Sequence, residues 1–106
     1  MEYNKVKIAK AIADLIYAKI NEDKESIEDG EAEICEGELT ITAYYDAKVD
    51  ADDWYETWED PYCNVHYVEV NSYEVDVKKV EVYDWDTDTI IEDEELKNII
   101  NSEFGR

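Results

Sequence analysis

The chain has very little positive charge. Nine lysines and one arginine, Arg106, stand against 30 Asp and Glu in 106 residues, so the formal net charge is −20 at pH 7. Nucleic acids and anionic membrane surfaces both attract Lys and Arg. We therefore expect neither nucleic acid nor a membrane to be a direct ligand.

Residues that usually carry catalysis or hold cofactors are also scarce. The chain has one histidine, His66, and two cysteines, Cys35 and Cys63, with no Cys-x-x-Cys spacing. Three glycines do not form a phosphate loop, and no serine or cysteine nucleophile motif surrounds His66. We expect two reduced thiols, a sheet-packing His66, no cofactor, no metal site and no enzymatic activity.

Long apolar runs are missing too. No stretch approaches the roughly 18 apolar residues of a membrane span, and the first residues lack the apolar core of a signal peptide. We expect a protein of the host-cell cytoplasm. Because 44% of the residues are hydrophobic, including nine Tyr and three Trp, the chain is expected to fold despite its charge, as a single domain over residues 1–106.

The acid is unevenly distributed. Residues 1–24 sum to +1 and residues 25–106 to −21, and the windows 25–38, 46–60 and 81–95 hold 22 of the 30 carboxylates. One acidic run is usually a solvated loop or face. Three runs together are costly, because self-repulsion destabilises a compact chain.

Periodicity predicts two helices. Ile8, Ile12, Leu15, Ile16 and Ile20 follow helical spacing within a helix from about Asn4 to Asp23. A short C-terminal helix begins at about Asp93, which can cap it, and has Leu96, Ile99, Ile100 and Phe104 on one side.

Between the helices the pattern predicts four strands. They are a short strand over 32–35, a clean alternation over 39–49, and the segments 65–70 and 73–77, with turns at Gly37 and at Asn71-Ser72. Apolar positions change parity after Lys78-Lys79, which predicts a β-bulge there. The fold class is therefore α+β: an N-terminal helix, a four-stranded mainly antiparallel sheet and a short C-terminal helix, with helices on one face.

Aromatic residues lie among the acids of the segment 50–62, which reads as a loop. Trp and Tyr are the usual anchors of protein interfaces. Trp54 and Trp58, four apart as on a helical turn, could instead fold back and cap the core. The candidate partner-binding residues are Asp50, Asp52, Asp53, Trp54, Tyr55, Glu56, Trp58, Glu59 and Asp60, with Asp84, Asp86 and Asp88 around Trp85.

The window 84–95 also resembles a calcium loop. Asp84, Asp86, Asp88, Glu92 and Glu95 occupy positions 1, 3, 5, 9 and 12 of an EF-hand spacing. Thr89 stands where that loop requires glycine, and a strand precedes the window. A polar turn leading into a helix cap is the favoured interpretation, with a calcium-stabilised module as an alternative.

The run DDWYETWEDPY, the strands VHYVEVNSYEVDVKKVEVYD and the helix EDEELKNII together resemble the small acidic proteins found in many phage genomes. The resemblance covers residues 40–104 in pattern, without invariant motifs, and carries over no site. It implies a phage or mobile-element origin. Within that group, the DNA-mimicking inhibitors of restriction and CRISPR effectors fit the charge.

The leading hypothesis is a monomeric inhibitor that occupies the basic nucleic-acid groove of a host defence protein. A globular chain of this length has a radius of gyration near 13 Å and hence a diameter of roughly 34 Å. Twenty net charges over that diameter give about one charge per 1.7 Å, which is the linear charge density of duplex DNA. The alternative is an accessory or structural phage protein that docks through its acidic aromatic loop.

Overall fold

The chain folds as a helix, four antiparallel strands and a second helix, which confirms the predicted α+β class. The computed structural model describes residues 3–57 and 64–105, and at 55–57 and 64–66 the backbone alone. The elements are α1 (Lys5–Asp23), β1 (Ile27–Glu36), β2 (Leu39–Thr57), β3 (Asn64–Asp84), β4 (Thr89–Glu92) and α2 (Glu94–Glu103). The strands lie side by side in chain order, β1-β2-β3-β4.

Capping side chains define where both helices begin. The Asn4 side chain accepts a hydrogen bond from the Lys7 backbone N–H at 3.1 Å, and Asp93 accepts one from Leu96 at 2.9 Å. Helix α1 ends where Lys24 adopts a left-handed conformation with φ 54°. One helical prediction was wrong: Leu15 is 44% exposed, so it does not belong to the buried face.

The core lies between the two helices and one face of the sheet. Helical isoleucines meet the inward side chains of β2 and β3, and Asp93 is the buried charged residue of the described chain. The largest fully buried side chains are Ile8, Ile12, Ile16, Ile20, Ile41, Leu96, Ile100, Val75, Val77, Val80 and Val82. This burial explains the alternation read from the sequence, since every second residue of β2 from Leu39 to Ala47 is buried.

A β-bulge lies at the lysine pair, as predicted. Pairing of β2 with β3 passes from Tyr44 opposite Lys79 to Tyr45 opposite Val77, which leaves Lys78 as the extra residue. The predicted turn at Gly37 is also present, with φ 60° at that glycine. The bulge keeps valines on the inner face on both sides of it.

Two other turn predictions were wrong. Residues 71 and 72 lie inside the continuous strand β3, where pairing passes from Asp50 opposite Ser72 to Ala51 opposite Val70, so Asn71 is a second extra residue. Residues 50–57, expected to begin a loop, continue β2. The two strands predicted at 65–70 and 73–77 are therefore one.

The outer strands also differ from the prediction. β1 begins at Ile27, five residues before the strand predicted over 32–35, and has a register shift between Ile27 and Gly30. The fourth strand is β4, which pairs with residues 81–84 of β3 and was not predicted. Its four residues were assigned to the turn, because a strand this short with no buried side leaves no alternating pattern of apolar residues.

Side chains bond to the outer edges of the two long strands. The Asn101 amide accepts from the Val77 N–H at 2.9 Å and donates to the Val77 carbonyl at 3.1 Å. On the other edge, the Ser26 hydroxyl accepts from the Val49 N–H at 3.0 Å. Each contact takes the place of a neighbouring strand at one position.

The molecule is elongated rather than globular. Its principal extents are 64 × 26 × 21 Å and its radius of gyration is 17.8 Å, well above the value near 13 Å expected from chain length. The length comes from the β2–β3 hairpin, since β1 pairs with β2 only as far as Ala47 among the described residues. Within that part of the chain, neither helix has the length and apolarity that crossing a membrane requires.

Candidate partner-binding surface

The side of the sheet turned away from the helices, here called the open face, gathers carboxylates from all four strands. By strand register it carries ten acidic residues and three lysines among the described side chains. The acids are Glu31, Glu33, Asp46, Asp50, Asp52, Glu69, Glu74, Asp76, Glu81 and Glu92, and the lysines are Lys48, Lys78 and Lys79. All thirteen are exposed or half-buried, so the face is accessible and strongly negative.

The bulge places positive charge at the centre of this face. Lys78 Nζ lies 2.6 Å from Asp46 Oδ2, and Lys79 Nζ lies 2.7 Å from Glu81 Oε1. The hydrogen bond from Lys78 holds the pKa of Asp46 below its ordinary value, and the bond from Lys79 does the same for the pKa of Glu81. The centre of the face is therefore partly neutralised.

Directly opposed acids explain why Lys78 is needed. Asp46 faces Asp76 across β2 and β3, and like charges in that relation are unfavourable. The neighbouring pair, Lys48 opposite Glu74, has opposite charges. These four side chains line a shallow depression of about 250 Å³.

The far end of the β2–β3 hairpin holds the first group of predicted site residues. Trp54 stacks on Tyr67 across the strands, with ring centroids 5.6 Å apart, and remains 40% exposed. The alternative in which Trp54 caps the core is therefore wrong. Asp50 and Asp52 lie on the open face, whereas Asp53 lies on the opposite side of the ribbon.

Five predicted site residues lie at the edge of the described segments or outside them. Tyr55 and Glu56 are placed in β2 by their backbone, and Trp58, Glu59 and Asp60 lie outside the described residues. Cys63 lies outside them as well, while Cys35 is a free and exposed thiol.

The β3–β4 turn holds the second group. Asp84 accepts a hydrogen bond from the Asp86 backbone N–H at 2.9 Å, and Asp88 accepts one from the Tyr83 hydroxyl. The latter bond raises the pKa of Tyr83. The ring of Trp85 stands 62% exposed above the open face, where its indole Nε1–H donates to Thr40 Oγ1 at 2.7 Å.

The two groups of predicted residues lie at opposite ends of the sheet. Asp84 pairs with Leu39 and Asp52 lies 13 residues further along β2, which at about 3.3 Å per residue corresponds to about 43 Å. They form two separate clusters joined by the open face. The acids in between, such as Glu74 and Asp76, were not among the predicted site residues, although their spacing two apart in a strand puts them on one side of the sheet.

The calcium spacing at 84–95 does not translate into a loop. Its five acids are divided among the end of β3, the turn, strand β4 and helix α2, and Glu92 lies opposite Glu81. Among residues 3–57 and 64–105, no group of three His, Cys, Asp or Glu side chains is arranged to hold a metal ion.

Comparisons with protein-family models, with curated proteins and with solved structures found no match to this chain.

Proposed function

We propose that this protein is a non-enzymatic acidic inhibitor, encoded by a phage or mobile element, that occupies the basic nucleic-acid groove of a host defence protein such as a restriction or CRISPR effector. The observation that carries the proposal is the open face, with ten carboxylates against three lysines on a long sheet. Such a face complements a groove lined by Lys and Arg.

The elongated shape lowers the charge density along the molecule and so changes which nucleic acid the protein resembles. Twenty net charges along a 64 Å axis give about one charge per 3 Å. Duplex DNA carries one per about 1.7 Å and a single strand one per about 3.4 Å. The charge density supports competition with a single strand in a channel rather than with a duplex.

Charge and aromatic residues would make different contributions to binding. Long-range attraction by the carboxylates increases the association rate, while desolvated aromatic anchors mainly reduce the dissociation rate. Trp54 and Trp85 are exposed Trp side chains at the two ends of the molecule. The aromatic clusters are therefore the expected determinants of residence time.

The test compares two triple variants with the same net charge. In one, Glu31, Glu33 and Glu69 of the open face become Gln; in the other, the exposed Glu22, Glu25 and Glu103 become Gln. Proteins captured from host lysate at low salt are identified by mass spectrometry and purified. Displacement of labelled single-stranded nucleic acid from them is then measured at low and high salt.

The open-face variant should displace the nucleic acid less well than the control variant, and high salt should weaken both. Equal loss in the two variants would contradict the role of the open face. Displacement that is insensitive to salt, or capture of no nucleic-acid-binding protein, would contradict the proposal as a whole.

A second candidate function is an accessory phage protein that docks on a neighbouring subunit through aromatic residues. The exposed stack of Trp54 on Tyr67 favours it. In that case Trp54→Ala would abolish binding to the neighbouring subunit, or the self-association of this chain as measured by light scattering. The triple Glu→Gln variants would have little effect on either measurement.

A further inference from the structure

Tyr83 and Trp85 form an aromatic corner on the open face at the β3–β4 turn. Their rings meet edge to face, with centroids 4.6 Å apart and planes at 71°. Tyr83 is half-buried in the sheet, whereas the Trp85 side chain is 62% exposed. An indole ring is thus presented to solvent next to a second aromatic ring.

The corner is held rigidly by its own hydrogen bonds. Trp85 Nε1 donates to Thr40 at 2.7 Å, its backbone N–H donates to the Glu38 carbonyl at 2.9 Å, and the Tyr83 hydroxyl donates to Asp88. A side chain fixed before binding loses little rotamer entropy when a ligand arrives. Burial does not explain this arrangement, since most of the indole remains in water.

Negative charge surrounds the corner. Asp86 follows Trp85 in the turn, Asp88 bonds to Tyr83, and the exposed Ile90 lies opposite Tyr83 on β4. Aromatic faces attract cations, and neighbouring carboxylates strengthen that attraction. The combination selects a cationic group with a flat apolar surface.

We propose that this aromatic corner binds an arginine side chain of the partner, with the guanidinium stacked on Trp85 and paired with a carboxylate of the turn. The inference rests on the proposed function, in which the partner is basic. Arginine is preferred to lysine because its planar guanidinium stacks on aromatic rings and bonds to carboxylates in a fixed geometry, whereas ammonium is compact and strongly hydrated.

The experiment needs no host protein. The full chain, labelled with ¹⁵N, is titrated with tetra-arginine and with tetra-lysine, and the Trp indole N–H signals are followed by NMR, with Trp→Leu variants to assign them. Both peptides carry the same charge, so attraction to the acidic surface is common to them. Arginine should shift the Trp85 signal more strongly than lysine does.

Affinity provides the second measurement. Trp85→Leu keeps an apolar side chain at an exposed position and should weaken tetra-arginine binding about two- to fivefold, as expected for one exposed cation–π contact. The same change should leave tetra-lysine binding nearly unaltered. The matched control is Tyr17→Leu, which removes an aromatic side chain that is 44% exposed on helix α1 and should leave the preference for arginine intact.

Equal shifts with the two peptides, an unchanged affinity in Trp85→Leu, or a response centred on Trp54 would overturn the inference. These outcomes are independent of the displacement assay. If nucleic acid is displaced but Trp85 does not respond to arginine, only the arginine site is wrong. If Trp85 binds arginine but nucleic acid is not displaced, the proposed function is wrong and the site remains.

Discussion

Asp93 joins the N-terminus of the chain to helix α2, and its replacement by alanine is a sharp test of the fold. One carboxylate oxygen accepts from the Leu96 N–H at 2.9 Å, and the other accepts from the Tyr3 hydroxyl and lies 3.3 Å from Lys5 Nζ. The residue is only 8% exposed. Asp93→Ala removes the helix cap and both of the long-range contacts.

The expected loss can be estimated contact by contact. Losing an N-cap side chain costs about 1 kcal/mol. Loss of the Tyr3 and Lys5 contacts adds about 1 kcal/mol, since both partners are half-buried and can bond to water instead. A total near 2 kcal/mol would lower the melting temperature by roughly 10 °C in a domain of this size.

Asp93→Asn separates the cap from the charge. Asparagine caps a helix as well as aspartate does, so this variant should lose only about 1 kcal/mol, the part due to the Tyr3 and Lys5 contacts. Urea denaturation followed by circular dichroism measures the free energy of unfolding of all three proteins.

The difference in the free energy of unfolding between wild type and Asp93→Asn should depend on pH in a defined direction. Burial acts to raise the pKa of Asp93, but hydrogen bonds from Tyr3, Leu96 and Lys5 outweigh it, so the pKa lies below its ordinary value. A lowered pKa stabilises the fold above the ordinary value of about 3.9, and that contribution is lost as the pH falls through the folded-state pKa.

Relief of repulsion among the other carboxylates occurs in both proteins and cancels in the difference. This difference in the free energy of unfolding between wild type and Asp93→Asn should therefore shrink as the pH falls below about 4. A gap that widens there, or a loss below about 0.5 kcal/mol in Asp93→Ala at pH 7, would refute the reasoning.

Three further predictions concern the sheet and its turn. Asn101→Asp should lower the free energy of unfolding by about 1–3 kcal/mol, because the Val77 carbonyl loses its donor. Asn98→Asp adds the same charge at an exposed position on α2, and an equal loss of stability there would contradict this account. Gly30→Ala should cost about 1–3 kcal/mol in urea denaturation, since its Cβ would lie 2.7 Å from Tyr45 Cζ, and an unchanged stability would show that the ring can move aside. Millimolar calcium should raise the melting temperature no more than the same concentration of magnesium does, because both ions screen the acidic surface equally, and a larger rise with calcium would refute this.

Most of the fold could be predicted because apolar periodicity reports burial. From Leu39 to Val49 one face of β2 packs under helices, so the alternation was clear. The bulge at Lys78 was predicted because a change of parity must be absorbed somewhere. The same change of parity occurs between Val70 and Tyr73, but Asn and Ser are common in turns and hid a second bulge.

The rest could not be predicted because it depends on long-range register. Among the described side chains, the core cluster includes no residue of β2 beyond Val49, so the acidic residues there follow no apolar period and were assigned to a loop. The sequence identified the acids around Trp54 and Trp85 but not their separation. That separation follows from strand lengths, which depend on pairing partners far away along the chain.

The side chains that bond to the strand edges, Asn101 on Val77 and Ser26 on Val49, have a consequence for crowded and salty conditions. Repulsion between acidic molecules keeps them apart only while the solution is dilute in ions. The two edge contacts do not depend on ionic strength, and a strand that added along β2 or β3 would have to displace the contact on that edge. These neutral hydrogen bonds therefore oppose fibre growth by strand addition even when salt screens the charge.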